Sequence, residues 1–332
     1  MKTDLSHAIE RVAVTGDLDS TAPETPSTSI QQHHRKPRNG DFKRVDRWRL
    51  IGWLFALPGL LLLGLTIGIP LIYSFVLSFS PYTLVNQKVL PLVGLANYVR
   101  VLNDPYVWHS LILTLQYTAV TVLAEFLLGL GVALLLNRVY TGRSIYFMIL
   151  AVPLAISPVS VGLIWRLLLQ PNLGIVNEVI RSLGGTGVDW LGSPDYAFWT
   201  VAFIDVWQQV SFVALILTAG LAALPKEPYE AAAIDGARSW QQFIYITLPM
   251  LRPVAAIVLI IQMINEIRTY DLIYVLTKGG PGVETELLSF LTYKKAFTGL
   301  AVNEGAASAF VLLAATMLLS VLSFVLISRN KQ

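Results

Sequence analysis

Residues Glu230–Pro253 read EAAAIDGARSWQQFIYITLPMLRP, between two long apolar runs. A plain connection between two such runs would be short and featureless. This one carries enough pattern to fold. Glu230–Ile234 suits a short helix of small residues. Gly236 allows a backbone conformation that a side chain would penalise. Ser239–Leu248 suits a second helix with Trp240, Phe243 and Ile244 on an apolar face, and Pro249 and Pro253 are expected to end it and start the next apolar run. The simplest alternative is an amphipathic hairpin lying on a bilayer. The fixed spacing from Gly236 to the Ile246-x-Leu248-Pro249 exit sets this stretch apart and marks it as a folded element presented to a partner.

The rest of the chain says what surrounds that loop. Of its 332 residues, 55% are hydrophobic and only 14% charged, where a soluble domain carries about a quarter charged residues. The chain is therefore expected to be an integral membrane protein. There is no cysteine, which removes disulfides, thiolate metal sites and cysteine nucleophiles. Of the histidines, His7, His33 and His34 fall in a polar N-terminal segment and His109 stands alone, so no histidine cluster is available for metal chemistry.

Six apolar stretches are each long enough to cross about 30 Å of hydrocarbon as a helix. They run Leu50–Phe79, Leu111–Leu136, Ile145–Leu169, Phe198–Leu224, Val254–Leu276 and Ala306–Ile327. Their length favours helices over barrel strands, which are shorter and alternate in polarity. Pro70 in the first predicts a kink or an early end, and Pro153 and Pro158 predict an irregular third helix. Residues 1–46 are polar and rich in Ser, Thr and Pro; such a segment buries too little apolar area to offset ordering entropy and is expected to be a disordered tail. Residues 47–332 form the six-helix membrane domain, with the loop at about 225–253.

Basic residues orient the chain. With the N-terminus in the cytoplasm, the inner segments hold Arg35, Lys36, Arg38, Lys43, Arg44, Arg47, Arg49, Arg138, Arg143, Lys226, Arg238, Arg252, Arg329 and Lys331. The outer segments hold only Lys88, Arg100, Arg181, Lys278, Lys294 and Lys295. The positive-inside bias puts both termini and the Glu230 loop in the cytoplasm. The basic run before the first span reads as an anchor to anionic lipid rather than as a nucleic-acid site.

The spacing Glu-Ala-Ala, three residues, Gly, nine residues, Ile-x-Leu-Pro resembles the coupling loop of permease subunits in binding-protein-dependent ABC importers. TYDLIYVLTKGGPG (Thr269–Gly282), GLANYVRVLNDP, EFLLGLGVALLLNR and LGIVN are similar to segments of the sugar-permease, MalF-like branch, and the likeness spans about residues 50–328. The resemblance implies an all-α membrane protein of six transmembrane helices with the type I importer permease (MetI-like) fold, in a bacterial or archaeal cell membrane. It implies a cytoplasmic coupling helix between the fourth and fifth spans, with Glu230, Ala231, Ala232, Asp235, Gly236, Ile246, Leu248 and Pro249 meeting an ATPase. The implied partners are a second permease subunit, an ATPase pair that binds ATP and Mg, an extracytoplasmic sugar-binding protein, and a carbohydrate. No nucleotide motif G-x-x-x-x-G-K-[ST] occurs in this chain, so no cofactor or enzyme activity is expected of it.

Polar residues inside membrane spans are costly and mark function by default. Asp205, Gln208, Gln209 and Phe212 share a face of the fourth span, and Asn265, Glu266 and Thr269 a face of the fifth. Amides, carboxylates and aromatics suit a sugar. Aligned on the family motifs, these residues take the positions that contact sugar in MalF-like permeases, with Leu154 and Pro158 of the third span. Asp205 and Glu266 stand where the maltose permease has amides, so maltose is not carried over. Glu125 reads as an interhelical hydrogen-bonding residue, and Arg268 and Asp271 as a structural i, i+3 pair. Glycerol-phosphate or another polar solute is the alternative substrate class. An ion-coupled carrier relaying protons through Asp205 and Glu266 is a further alternative, though internal repeats typical of such carriers are not evident.

Overall fold

The computed structural model describes residues 40–138 and 142–329, and all regular structure among them is helical. Two compact units, one up to Leu62 and one from Leu63 onward, are each taken by themselves. In the first, α1 (Gly40–Leu63) begins inside the stretch read as tail; residues 1–39 of that tail lie outside the described residues. The second unit holds α2 (Ile69–Ser78), α3 (Ala96–Leu102), α4 (Pro105–Arg138), α5 (Arg143–Ala155), α6 (Pro158–Leu168), α7 (Ile175–Ser182) and α8 (Pro194–Ala222). There follow α9 (Glu227–Ile234), α10 (Ser239–Gln242), α11 (Leu248–Ile267), α12 (Asp271–Leu276), α13 (Leu288–Tyr293) and α14 (Val302–Arg329).

Among the described residues, five helical runs are long and apolar enough to cross a membrane, and α5 with α6 supplies a sixth if the pair, bent by 91°, counts as one. The predicted irregularity of the third span is thus a sharp break. Pro153 sits inside α5, the chain turns extended at Ile156, and Pro158 opens α6. The freed Ile156 carbonyl accepts a hydrogen bond from Gln208 Nε2 at 2.9 Å, so a polar side chain of α8 satisfies what the break exposes.

At Pro70 the early-end alternative is excluded, since the helix runs through it, and the hairpin helix does not end at Pro249. In both places the helix widens to a π turn, Gly64–Gly68 before Pro70 and Phe243–Thr247 before Pro249. A proline clashes with the carbonyl four residues back and lacks the matching donor. A wider turn immediately upstream relieves that conflict while the helix continues. Ser239–Ile267 is consequently one continuous helix, with the hairpin's second arm leading straight into the fifth span. That span is broken near its far end instead: α11 stops at Ile267, and Arg268–Tyr270 separate it from α12.

The core of the second unit rests on the α4/α8 pair. Ala133, Val213, Ala214 and Leu217 are fully buried there. Gly129 makes the approach close: a Cβ on it would lie 2.6 Å from Val213 Cγ1 and 3.2 Å from the Ala214 backbone nitrogen. Small residues let membrane helices gain dispersion contact that lipid cannot match. At the end opposite the hairpin, Lys295 Nζ lies 2.6 Å from Asp104 Oδ2 and Arg100 Nε 3.4 Å from Glu304 Oε1. Buried Asn97 donates to the carbonyls of Ser78 and Ser80, each at 2.8 Å.

Candidate functional site

Two places collect the residues singled out from sequence. The first is the hairpin. α9 ends in a left-handed Gly236 with φ of +74°. Around it the Gly236 amide donates to Ala233 O at 3.1 Å and the Ala237 amide to Ala232 O at 2.9 Å. This is a Schellman cap, in which glycine at the turn avoids a Cβ clash. The second arm begins where the Arg238 amide donates to Gln241 Oε1 at 2.8 Å. Tyr229 of α9 donates to Thr247 Oγ1 at 3.0 Å and fastens the arms together. Glu230, Ala231, Asp235 and Gly236 are exposed on this ridge. Ile234 at its tip is an apolar residue 88% exposed among the described residues. Ala232, Ile246, Leu248 and Pro249 are half-buried at its base.

The second place is a cleft of about 550 Å³ at the broken end of the fifth span. It is lined by Pro158, Asp205, Gln208, Gln209, Asn265, Glu266, Arg268, Thr269, Tyr270, Asp271 and Leu272. Its size is within the range of small-molecule sites, about 300–1,000 Å³. Both breaks converge on it: Pro158 marks the α5/α6 bend, and Arg268–Tyr270 are the α11/α12 interruption. The structure therefore brings together Asp205, Gln208, Gln209, Asn265, Glu266, Thr269 and Pro158. It does not bring Leu154 or Phe212 to the cleft wall. Leu154 is exposed on α5, and Phe212, two turns along α8 from Asp205, packs against the apolar cluster of Leu130, Val213 and Leu217.

Behind the cleft lies a buried polar layer. Tyr117 donates to Asp205 Oδ2 at 2.6 Å. Gln262 Nε2 donates to Glu125 Oε2 at 2.7 Å, which agrees with the interhelical role read for Glu125. Asn265 Nδ2 donates to Gln262 Oε1 at 3.3 Å, and Thr269 Oγ1 to Glu266 Oε2 at 3.4 Å. The expected Arg268–Asp271 pair is not among the ion pairs of the described residues. Arg268 donates instead to the Ile264 carbonyl at 3.2 Å, since the helix ends at Ile267 and the i, i+3 geometry is lost. Tyr270, missed from sequence, lines the cleft and stacks on Tyr274 with centroids 5.6 Å apart. An aromatic just past the polar Asn265, Glu266, Arg268 and Thr269 was its only signal.

A wall of amides, carboxylates and one phenol ring can exchange hydrogen bonds with a hydroxylated solute and offer it a flat apolar face. The hairpin's second arm and the cleft's α11 wall are one continuous helical run.

Residues 125–330 match the family model described as "Binding-protein-dependent transport system inner membrane component". The trehalose/maltose transport system permease protein MalF of Thermococcus litoralis is 39% identical over 244 residues, 73% of this chain and 82% of that protein. The sulfoquinovosyl glycerol transport system permease protein SmoG of Agrobacterium fabrum is 33% identical over 285 residues, 83% of this chain and 92% of that one. Among solved structures, a bacterial ABC transporter involved in the import of the acidic polysaccharide alginate shares the fold. Its matching chain has a TM-score of 0.76 at 22% identity, covering 88% of this chain and 100% of that one.

Proposed function

The chain belongs to the family of binding-protein-dependent transport system inner membrane components, and from that premise we propose which residues carry its cargo and its drive. It is a multi-pass membrane permease subunit of an ABC importer with the type I, MetI-like fold, and not an enzyme. It works with a second permease, an ATPase pair and a substrate-binding protein. The cargo is a carbohydrate, passed along the cleft formed by Asp205, Gln208, Gln209, Asn265, Glu266, Thr269, Tyr270 and Pro158.

The observation that carries this reading is the continuity of the hairpin with the cleft wall. α10, the π turn and α11 run unbroken from Ser239 to Ile267, so a push on the hairpin reaches the residues that face the cargo. Glu230, Ala231, Ala232, Asp235 and Gly236 then meet the ATPase, which binds ATP and Mg; Ile246, Leu248 and Pro249 pass the motion on. The excess of basic residues at the hairpin end supports a cytoplasmic hairpin and cytoplasmic termini. Arg268 in the cleft favours a second reading, in which the solute is a polar phosphate ester such as glycerol-phosphate.

The test uses the complete complex in liposomes with its binding protein. Gln209→Leu and Asn265→Leu should each cut uptake by roughly 5- to 150-fold, the equivalent of about 1–3 kcal/mol for an unsatisfied hydrogen bond, with binding-protein-stimulated ATP hydrolysis retained. Full uptake by both variants would take the cleft out of the transport path.

A further inference from the structure

Directly behind the cleft, three carboxylates from three different helices converge: Glu125 of α4, Asp205 of α8 and Glu266 of α11. One oxygen of each lies within 4.8 Å of the others. They are 0%, 4% and 1% exposed. None takes part in any of the ion pairs of the described residues. Taking even one carboxylate out of water without a compensating charge is unfavourable, and three together compound the effect.

A second observation sets this cluster apart from a merely crowded core. Each acid has one oxygen held by a neutral donor: Tyr117 on Asp205 Oδ2, Gln262 on Glu125 Oε2, and Thr269 on Glu266 Oε2. Glu125 Oε1 remains buried with no partner at all among the described residues. That is the arrangement of ligands fixed by an outer layer of hydrogen bonds, with the Glu125 oxygen left free to take a ligand. The cleft of about 550 Å³ opens onto Asp205 and Glu266, which provides a way in.

We propose that Glu125, Asp205 and Glu266 hold a divalent metal cation of calcium size. An all-oxygen, triply anionic set selects a hard cation. Calcium takes oxygens at about 2.3–2.6 Å, so two ligands on one ion stand up to about 5 Å apart, whereas magnesium at about 2.0–2.1 Å would need them within about 4.2 Å. The three oxygens lie within 4.8 Å of one another, inside the reach of the larger ion. Solute or water from the cleft completes the coordination sphere. The bound ion cross-links α4, α8 and α11 and holds the two carboxylates that border the cleft in one orientation. The site does not depend on what the cleft transports.

The experiment uses the purified complete complex, stripped with a chelator and free of nucleotide and sugar. Radioactive calcium binding and the thermal unfolding midpoint are followed at constant ionic strength, with magnesium, sodium and potassium as competitors. The wild type should bind calcium saturably, with a rise in the midpoint that sodium and potassium do not reproduce. Glu125→Gln, outside the cleft wall, should weaken binding at least about tenfold, and Tyr117→Phe, which removes an orienting donor, by about 10- to 100-fold. Wild-type complex that binds no calcium, or responds to sodium alone or only to pH, would overturn the proposal. So would calcium binding undiminished in Glu125→Gln, which would place the ion on another subunit. Direct binding to the wild type keeps the test decisive if a variant fails to assemble, and uptake is not measured, so the sugar reading stands or falls separately.

Discussion

Tyr229 and Thr247 are joined hydroxyl to hydroxyl at 3.0 Å, although eighteen positions separate them. The bond ties the first arm of the hairpin to the π turn of the second. With the Schellman cap at Gly236, it makes the loop a braced unit rather than two independent short helices. The braced unit is short on its own apolar support: α9 contains no fully buried residue, so its geometry rests on these few bonds.

Gly236→Asp should therefore uncouple the transporter locally. A Cβ in the left-handed region costs about 1–2 kcal/mol, and the added carboxylate lies on the exposed ridge. The variant should insert normally but lose uptake, with less ATPase co-purifying. Tyr229→Phe should give a milder loss of uptake, at normal ATPase association. A Gly236→Asp complex with full ATPase association and full transport would remove the coupling role from this loop.

Gly129 sets the distance between α4 and α8. Gly129→Val places its Cβ against Val213 and the Ala214 backbone, and overpacking of this kind destabilises by about 1–3 kcal/mol. The thermal midpoint of the purified complex should fall, and Val213→Ala introduced alongside should restore part of it. An unchanged midpoint in the single variant would show that the pair has room to separate.

The Lys295–Asp104 contact carries a pH signature outside the spans. Burial pushes the Asp104 carboxyl up, but the hydrogen bonds from Lys295 and the Tyr106 amide, with the Lys295 charge, outweigh it and hold it below the usual aspartate range. A depressed folded-state value adds stability that is present above the unfolded aspartate value of about 3.9. That stability is lost as pH falls through the lower folded value. Lys295→Met should lower the unfolding midpoint at neutral pH, and its gap from wild type should narrow below about pH 4. A gap that stays constant into acid would assign the loss to packing of the lysine stem.

Orientation is open to direct labelling, because the chain has no cysteine. A cysteine placed at Ser193, at the start of α8, should react in intact cells with an impermeant thiol reagent. One at Ser239 should react only after the membrane is opened. The reverse pattern would put the hairpin on the outside and sever it from any ATPase.

Hydropathy located every span, because about 20 consecutive apolar residues leave little choice of structure. It could not locate the interruption at Arg268–Tyr270, where neither Gly nor Pro marks a stop; Ser289 Oγ instead donates to the Thr269 carbonyl at 2.5 Å, a contact twenty positions away. Proline misled at Pro249, and in the early-end alternative at Pro70, for the opposite reason: the local rule predicts a stop, and a π turn absorbs the conflict. The polar faces of α8 and α11 were legible from periodicity, and both Asp205 and Glu266 line the cleft. Tyr117 was not, since nothing in a run of apolar and hydroxyl residues distinguishes the phenol that reaches Asp205 eighty-eight positions later. Phe212 shares the face of Asp205 but lies seven residues on, about 10 Å along the axis, where that face meets the Leu130, Val213 and Leu217 cluster; periodicity gives the face and not the depth.

The unbroken helix from Ser239 to Ile267 also sets a mechanical gain. At 1.5 Å per residue it is about 43 Å long. A tilt of about 5° about its hairpin end sweeps the far end through nearly 4 Å, by that same length. At Gln262, about 35 Å from the hairpin end, the same tilt is about 3 Å, more than the 2.7 Å that joins Gln262 Nε2 to Glu125 Oε2 on α4. A nudge too small to register as a domain movement at the hairpin is thus large enough at the other end to unlatch one set of side-chain bonds and make another.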